Sequence, residues 1–127
     1  MASQKKALVS ACLLGLNCRY DGRHKRCDEL IEKLKREGYE IIPICPEVEG
    51  GLPVPREPAT REGNKVITNF TRRDVTEFFL LGALKALQKA KTSGVKEAYL
   101  KSKSPSCGEE GITAEVLKKE GIKLRWY

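Results

Sequence analysis

The sequence predicts a three-layer α/β sandwich built on a mostly parallel sheet of about four strands. Apolar runs of strand length recur at residues 7–11, 39–44, 95–101 and 122–126, and stretches of helical period separate them. Strands that alternate with helices are the pattern of a parallel sheet covered on both faces. No repeat, low-complexity tract or linker divides the 127 residues. That length can bury a core without disulfide or metal staples, so residues 1–127 are expected to form a single α/β domain.

Residues 7–11, Ala-Leu-Val-Ser-Ala, read as a short buried strand. The stretch 12–26 contains Gly15, Asn17, Asp21 and Gly22 and reads as a loop. Cys27, Leu30, Ile31 and Leu34 recur at i, i+3, i+4 and i+7, the period of an amphipathic helix that Gly38 stops. Residues 39–44 form the second strand. Five of the six prolines lie between Pro43 and Pro58, which argues against a regular helix or central strand in the segment that follows.

Residues 64–69 read as a short strand or hairpin arm. Thr71 with Asp74 resembles a capping box in which Asp replaces the usual Glu or Gln. It predicts the longest helix over 72–91, apolar at Val75, Phe78, Phe79, Gly82, Ala83 and Ala86. Leu80, Leu81, Leu84 and Leu87 widen that stripe, so the helix is expected to be well buried. Gly94 ends it. A third strand over 95–101, a short helix over 113–120 and a last strand over 122–126 complete the chain. Right-handed crossovers place the carboxyl ends of all the strands on one edge. In such a Rossmann-like sheet, ordered 2-1-3-4, ligands bind outside that edge where strand order reverses.

Composition sets broad limits. Hydrophobic residues make up 40% and charged residues 32%, as in ordinary globular proteins. No apolar run approaches the roughly 18 residues that span a bilayer, so no membrane partner is expected. The first residues show no leader-like apolar stretch or cleavage site, and a cytoplasmic location is expected. The net charge is +7, from 24 basic and 17 acidic residues. That balance suits an anionic partner such as RNA or a nucleotide phosphate, although Lys and Arg are spread along the chain as on any solvated surface.

Five cysteines in a cytoplasmic chain point to metal binding or catalysis rather than a disulfide framework. Cys12 follows the first strand directly, Cys45 follows the second, and Cys107 lies in the loop after the third. All three therefore belong to the same sheet edge. With neighbouring strands about 4.8 Å apart, their sulfurs can converge. Spacing alone leaves two readings open: buried small residues at strand ends, or convergent thiolates. Three thiolates select soft centres, either zinc with an open fourth position or a [4Fe–4S] cluster with one free iron.

Glu47, two residues past Cys45, is a candidate general acid/base, with its pKa expected to rise in a partly dry pocket. Hydroxyls in the run 101–108, Lys-Ser-Lys-Ser-Pro-Ser-Cys-Gly, can hydrogen-bond a cluster sulfide or a substrate, or simply shape a turn. Cys27 falls on the apolar stripe of the first helix and reads as a core thiol. Cys18 is open: a spare ligand, a resolving thiol or a residue without a role. His24 reads as a surface residue. Neither GxGxxG nor GxxxxGK[ST] is present, so a nucleotide cofactor has no support.

Three segments resemble a known family. Ser10-Ala11-Cys12-Leu13-Leu14-Gly15 with Arg19-Tyr20-Asp21-Gly22 is similar to the start of the bacterial domain of unknown function family 523. Cys45-Pro46-Glu47-Val48 with Gly50-Gly51-Leu52-Pro53 and Pro55-Arg56, and Lys103-Ser104-Pro105-Ser106-Cys107-Gly108, resemble its other two signatures. The resemblance covers essentially the whole chain. The family includes thiouracil desulfidases, which remove sulfur from thiolated pyrimidines with a [4Fe–4S] cluster on three cysteines. It implies Cys12, Cys45 and Cys107 as ligands and Glu47 and Ser104 as catalytic residues. One departure stands out, because only Glu109 and Glu110 separate Gly108 from Gly111, where the family carries a longer segment. That shortening predicts a more open site, a different substrate or the loss of desulfidase activity.

The expected function is hydrolytic desulfuration of a thiolated pyrimidine or related thio-compound. The alternatives are a zinc-dependent hydrolase using the same three cysteines, and a non-enzymatic RNA-binding or cluster-carrying module.

Overall fold

The computed structural model describes residues 5–127, so the reading of the first residues as free of a leader lies partly outside the described residues. In chain order the elements are β1 (Lys5–Ser10), α1 (Asp28–Arg36), β2 (Tyr39–Ile44), α2 (Pro46–Glu49), β3 (Ala59–Glu62), β4 (Lys65–Thr68), α3 (Thr76–Ser93), β5 (Glu97–Leu100), α4 (Ile112–Lys119) and β6 (Lys123–Trp126). A four-residue 3-10 turn, Ala11–Leu14, follows β1 directly.

The main sheet has the order β2-β1-β5-β6, and every pair in it is parallel. Counted over its four strands, this is the expected 2-1-3-4 arrangement. β3 and β4 form a separate antiparallel hairpin, which settles the role of the 64–69 stretch. Pro43 sits inside β2 without breaking a ladder because β2 is an edge strand.

Side-chain alternation builds the three layers. Leu8, Ile44, Ala98 and Leu100 point to one face and pack on Ala86 and Ala90 of α3 and on Ala114 and Leu117 of α4. Ala7, Val9 and Tyr99 point to the other and pack on Leu13 and on Leu30 and Leu34 of α1. A third cluster joins the hairpin to α3 through Val66, Val75, Phe79 and Ala83. Fully buried side chains such as Leu8 and Phe79 lose about 2–5 kcal/mol on truncation to alanine, so this packing holds the layers together.

Three local expectations are corrected. The longest helix starts at Thr76, not at residue 72. Residues 73–75 are instead drawn against β4: Thr68 N donates to Arg73 O at 2.9 Å, and Val75 N donates to Val66 O at 2.9 Å. Thr71 is bound by the Glu57 carboxylate, and Asp74 accepts from Thr76 N at 3.0 Å. The second correction is the burial of that helix. Its buried side is the small-residue stripe Ala83, Ala86 and Ala90, of which Ala86 and Ala90 pack on the sheet and Ala83 on the hairpin cluster, whereas Leu80, Leu81 and Leu84 are 45%, 46% and 59% exposed. Third, the proline-rich segment does contain one helical turn, α2, with Pro46 in its first turn, where a missing N–H does no harm.

Candidate functional site

A cavity of about 360 Å³ opens beyond the carboxyl edge of the main sheet. Its wall is assembled from four connections. The 3-10 turn after β1 supplies Cys12, and the loop behind it supplies Cys18. The start of α2 supplies Cys45 and Glu47, and the loop after β5 supplies Ser104, Ser106 and Cys107. All five residues singled out from sequence, Cys12, Cys45, Glu47, Ser104 and Cys107, line this one cavity.

Local chemistry explains each position. Cys12 is 8% exposed and lies in the turn whose Gly15 closes it in a left-handed conformation. Cys45 immediately precedes α2, and its amide donates to Glu49 Oε2 at 2.7 Å. The helix behind it lies directly against α3: a Cβ on Gly82 of α3 would stand 1.9 Å from the Pro46 carbonyl oxygen. Gly82 thus lets α3 press directly on the backbone that carries Cys45 and Glu47. Cys107 is 4% exposed, and the Ser104 hydroxyl accepts from its amide at 3.1 Å.

Glu47 is not a lone carboxyl in a dry pocket. Its Oε1 pairs with Arg56 Nε at 3.1 Å, and its Oε2 accepts from Ser106 Oγ at 2.9 Å. The Arg56 and Glu47 side chains are only 7% and 14% exposed, so solvent screens this pair little. Arg56 also donates to Pro53 O at 3.2 Å and to Cys18 O at 3.1 Å. Arg56 was absent from the sequence-derived site, and Ser106 entered it only as one of the hydroxyls of the 101–108 run. The only signals were their positions inside the Pro55-Arg56 and Ser-Pro-Ser-Cys-Gly motifs.

The thiols differ in acidity. Cys45 is lowered to about 7, chiefly by a hydrogen bond from the Cys18 thiol, and Cys18 is raised by that bond and by burial. Burial, then the charge of Cys45, raises Cys12. Burial pushes Cys107 up to about 12, against a hydrogen bond from Ser10. All five cysteines are free. Cys27 sits just ahead of α1, half-buried against the α1-side core, and His24 lies in an exposed loop away from the cavity wall.

Among the described residues, no three His, Cys, Asp or Glu side chains gather closely enough to hold a single metal ion. Thiolates on one zinc at about 2.3 Å would lie within roughly 4 Å of one another. Three free thiols that line one cavity suit a group of several irons, each taking one thiolate. Positive charge dominates the remaining wall, with Arg19, Lys25, Lys101 and Lys103 joining Arg56. Where the connection after Gly108 is short, the hairpin covers the corner. Arg61 of β3 donates to Glu110 O at 2.9 Å and to Glu115 Oε2 at 2.8 Å. No helix among the described residues is long and apolar enough to cross a membrane.

Comparison with known proteins agrees with the motifs. The model of the 2-thiouracil desulfurase family matches residues 7–125. The uncharacterized protein YbbK of Bacillus subtilis strain 168 is 36% identical, over 92% of each chain. A solved structure described as a [4Fe-4S]-dependent thiouracil desulfidase, TudS, is 39% identical, with a TM-score of 0.89. The match covers 97% of this chain and 91% of that one. The central parallel sheet, the flanking helices and the three motif segments all lie inside these matches, and the chain belongs to the 2-thiouracil desulfurase family.

Proposed function

We propose that this chain removes sulfur from thiolated pyrimidines by hydrolysis, with a [4Fe–4S] cluster held by Cys12, Cys45 and Cys107. The observation that carries the reading is the convergence of three free thiols from three strand ends with Glu47 and Ser104 on one cavity. The reaction balances without an oxidant or reductant: C=S and water become C=O and hydrogen sulfide. When bound, the cluster supplies an iron with an open position, a Lewis acid toward the thiocarbonyl sulfur.

The chain's own groups do the rest. The cavity, about 360 Å³, has room for a single pyrimidine ring. The Glu47 carboxylate takes the proton of the attacking water and returns one to the ring nitrogen. Ser104, across Ser106 from Glu47, orients the ring. Lys25, Lys101 and Lys103 at the wall extend the range to substrates that carry a phosphate, a thiolated RNA residue included. A single-zinc hydrolase is not favoured, because no three donors stand at single-ion spacing among the described residues.

The test is anaerobic reconstitution with iron and sulfide, followed by incubation with 2-thiouracil. A broad visible iron–sulfur band with stoichiometric release of uracil and sulfide is the expected result. A loaded protein that releases no sulfide from 2-thiouracil, 4-thiouracil or their nucleotides overturns the reading.

A further inference from the structure

We infer that Ser106 and Arg56 are positioning residues that bind Glu47 and Ser104 into one hydrogen-bonded unit; the inference rests on the desulfuration reading above. The argument is a count of protons. A carboxylate only accepts, so the Ser106 hydroxyl spends its single hydrogen on Glu47 Oε2 at 2.9 Å. The 3.0 Å contact between the Ser104 and Ser106 hydroxyls must then be donated by Ser104. Ser104 Oγ itself accepts two amide hydrogens, from Ser106 N at 3.2 Å and Cys107 N at 3.1 Å. Every hydrogen in the chain of groups is thereby assigned, and all of them run toward Glu47.

This assignment has a chemical result. The Ser104 hydrogen is committed to Ser106, so the Ser104 oxygen and the Glu47 carboxylate are held in one fixed relation at the cavity wall. Ser106 is 2% exposed, so no bulk water competes for these bonds. Arg56 completes the arrangement from the other side. Its Nε donates to Glu47 Oε1, its Nη1 to Pro53 O and its Nη2 to Cys18 O, and its amide donates to Tyr20 O at 2.8 Å. The guanidinium is locked by two loops and fixes the carboxylate plane. A buried ion pair is weak evidence for stability, since an apolar pair packs as well; a fixed orientation is what it adds here.

The experiment compares Ser106→Ala, Ser106→Thr and Arg56→Gly with wild type, all reconstituted anaerobically. Ser106→Ala keeps the iron–sulfur band and the KM for 2-thiouracil, and its kcat falls about 10²-fold, the scale of a lost proton-transfer contact. Ser106→Thr, which keeps a hydroxyl, recovers most of that loss. Arg56→Gly loses kcat to a similar extent and regains it on addition of guanidinium ion, which a generally loosened fold would not do. In the cluster-free protein, the Glu47 carboxylate band, assigned by infrared difference against Glu47→Gln, shifts in Ser106→Ala. Wild-type kcat in Ser106→Ala, or an unshifted carboxylate band, overturns this inference alone. A wild type that releases no sulfide overturns the desulfuration reading, and the infrared shift then still decides whether Ser106 holds Glu47.

Discussion

The two edges of the main sheet use polar residues in opposite ways. At the amino edge, Tyr39 Oη donates to Glu97 Oε2 at 2.5 Å, Lys5 lies 5.5 Å from the Tyr39 ring centroid, and Tyr39 meets Tyr99 edge-on at 6.4 Å. These contacts tie β2 to β5 across β1, and none of these residues lines the cavity at the carboxyl edge. At the carboxyl edge, Arg56, Glu47, Ser106 and Ser104 form a continuous buried chain beside the thiols. A stabilising contact needs only its two partners. A buried network that faces an open cavity gives up packing area to hold polar groups in place, which is the signature of a site. The same strands therefore carry structure at one end and chemistry at the other.

The sharpest way to break this contrast is to change one residue at each edge. Cys107→Ser should abolish most of the iron–sulfur absorption after reconstitution, whereas Tyr39→Phe should leave the spectrum unchanged. Equal spectra from the two variants would erase the distinction.

Gly82→Ala tests whether the carboxyl edge depends on the layer beneath it. The new methyl would meet a backbone oxygen that cannot swing aside, so a loss of about 1–3 kcal/mol is expected in chemical denaturation. Desulfidase activity should fall in the fraction that remains folded, because α2 carries Cys45 and Glu47 away from Ser106. Full activity in the folded fraction would show that α2 keeps its place without this contact.

Tyr39→Phe should lower stability by about 1 kcal/mol, the net value of a single hydrogen bond, with kcat unaltered. A fall in kcat would mean that the amino edge communicates with the site.

The smallest effect is expected at Glu57, just before β3, whose carboxylate holds the loop that leads into α3. Hydrogen bonds from Thr71, then from the Thr71 and Phe70 amides, hold its carboxyl below the usual value of 4.5. A depressed folded-state pKa contributes stability above pH 4.5 that is lost as pH falls through the folded value. Glu57→Gln should remove that part of the acid dependence and leave the rest of the profile intact. An identical acid profile in the variant would show that this loop adds nothing to stability.

Much of this was legible in the sequence, because strand–helix alternation and cysteines at strand ends are local facts. Parallel strands share one carboxyl edge, and that alone places Cys12, Cys45 and Cys107 together, whereas the 2-1-3-4 order is one of several that right-handed crossovers allow. Other features needed the folded chain. The delayed start of α3 comes from β4 drawing residues 73–75 into pairing, a competition that capping residues cannot reveal. Leu80, Leu81 and Leu84 face outward because small alanines allow the sheet to approach their side of the helix. Ser106 reaches Glu47 across 59 residues, and the Cys18 carbonyl meets Arg56 across 38. Residue type and local period determine which elements form and where their ends lie. Only tertiary packing decides which loop ends touch, because hydrogen-bond distances between remote residues depend on how all the layers seat at once.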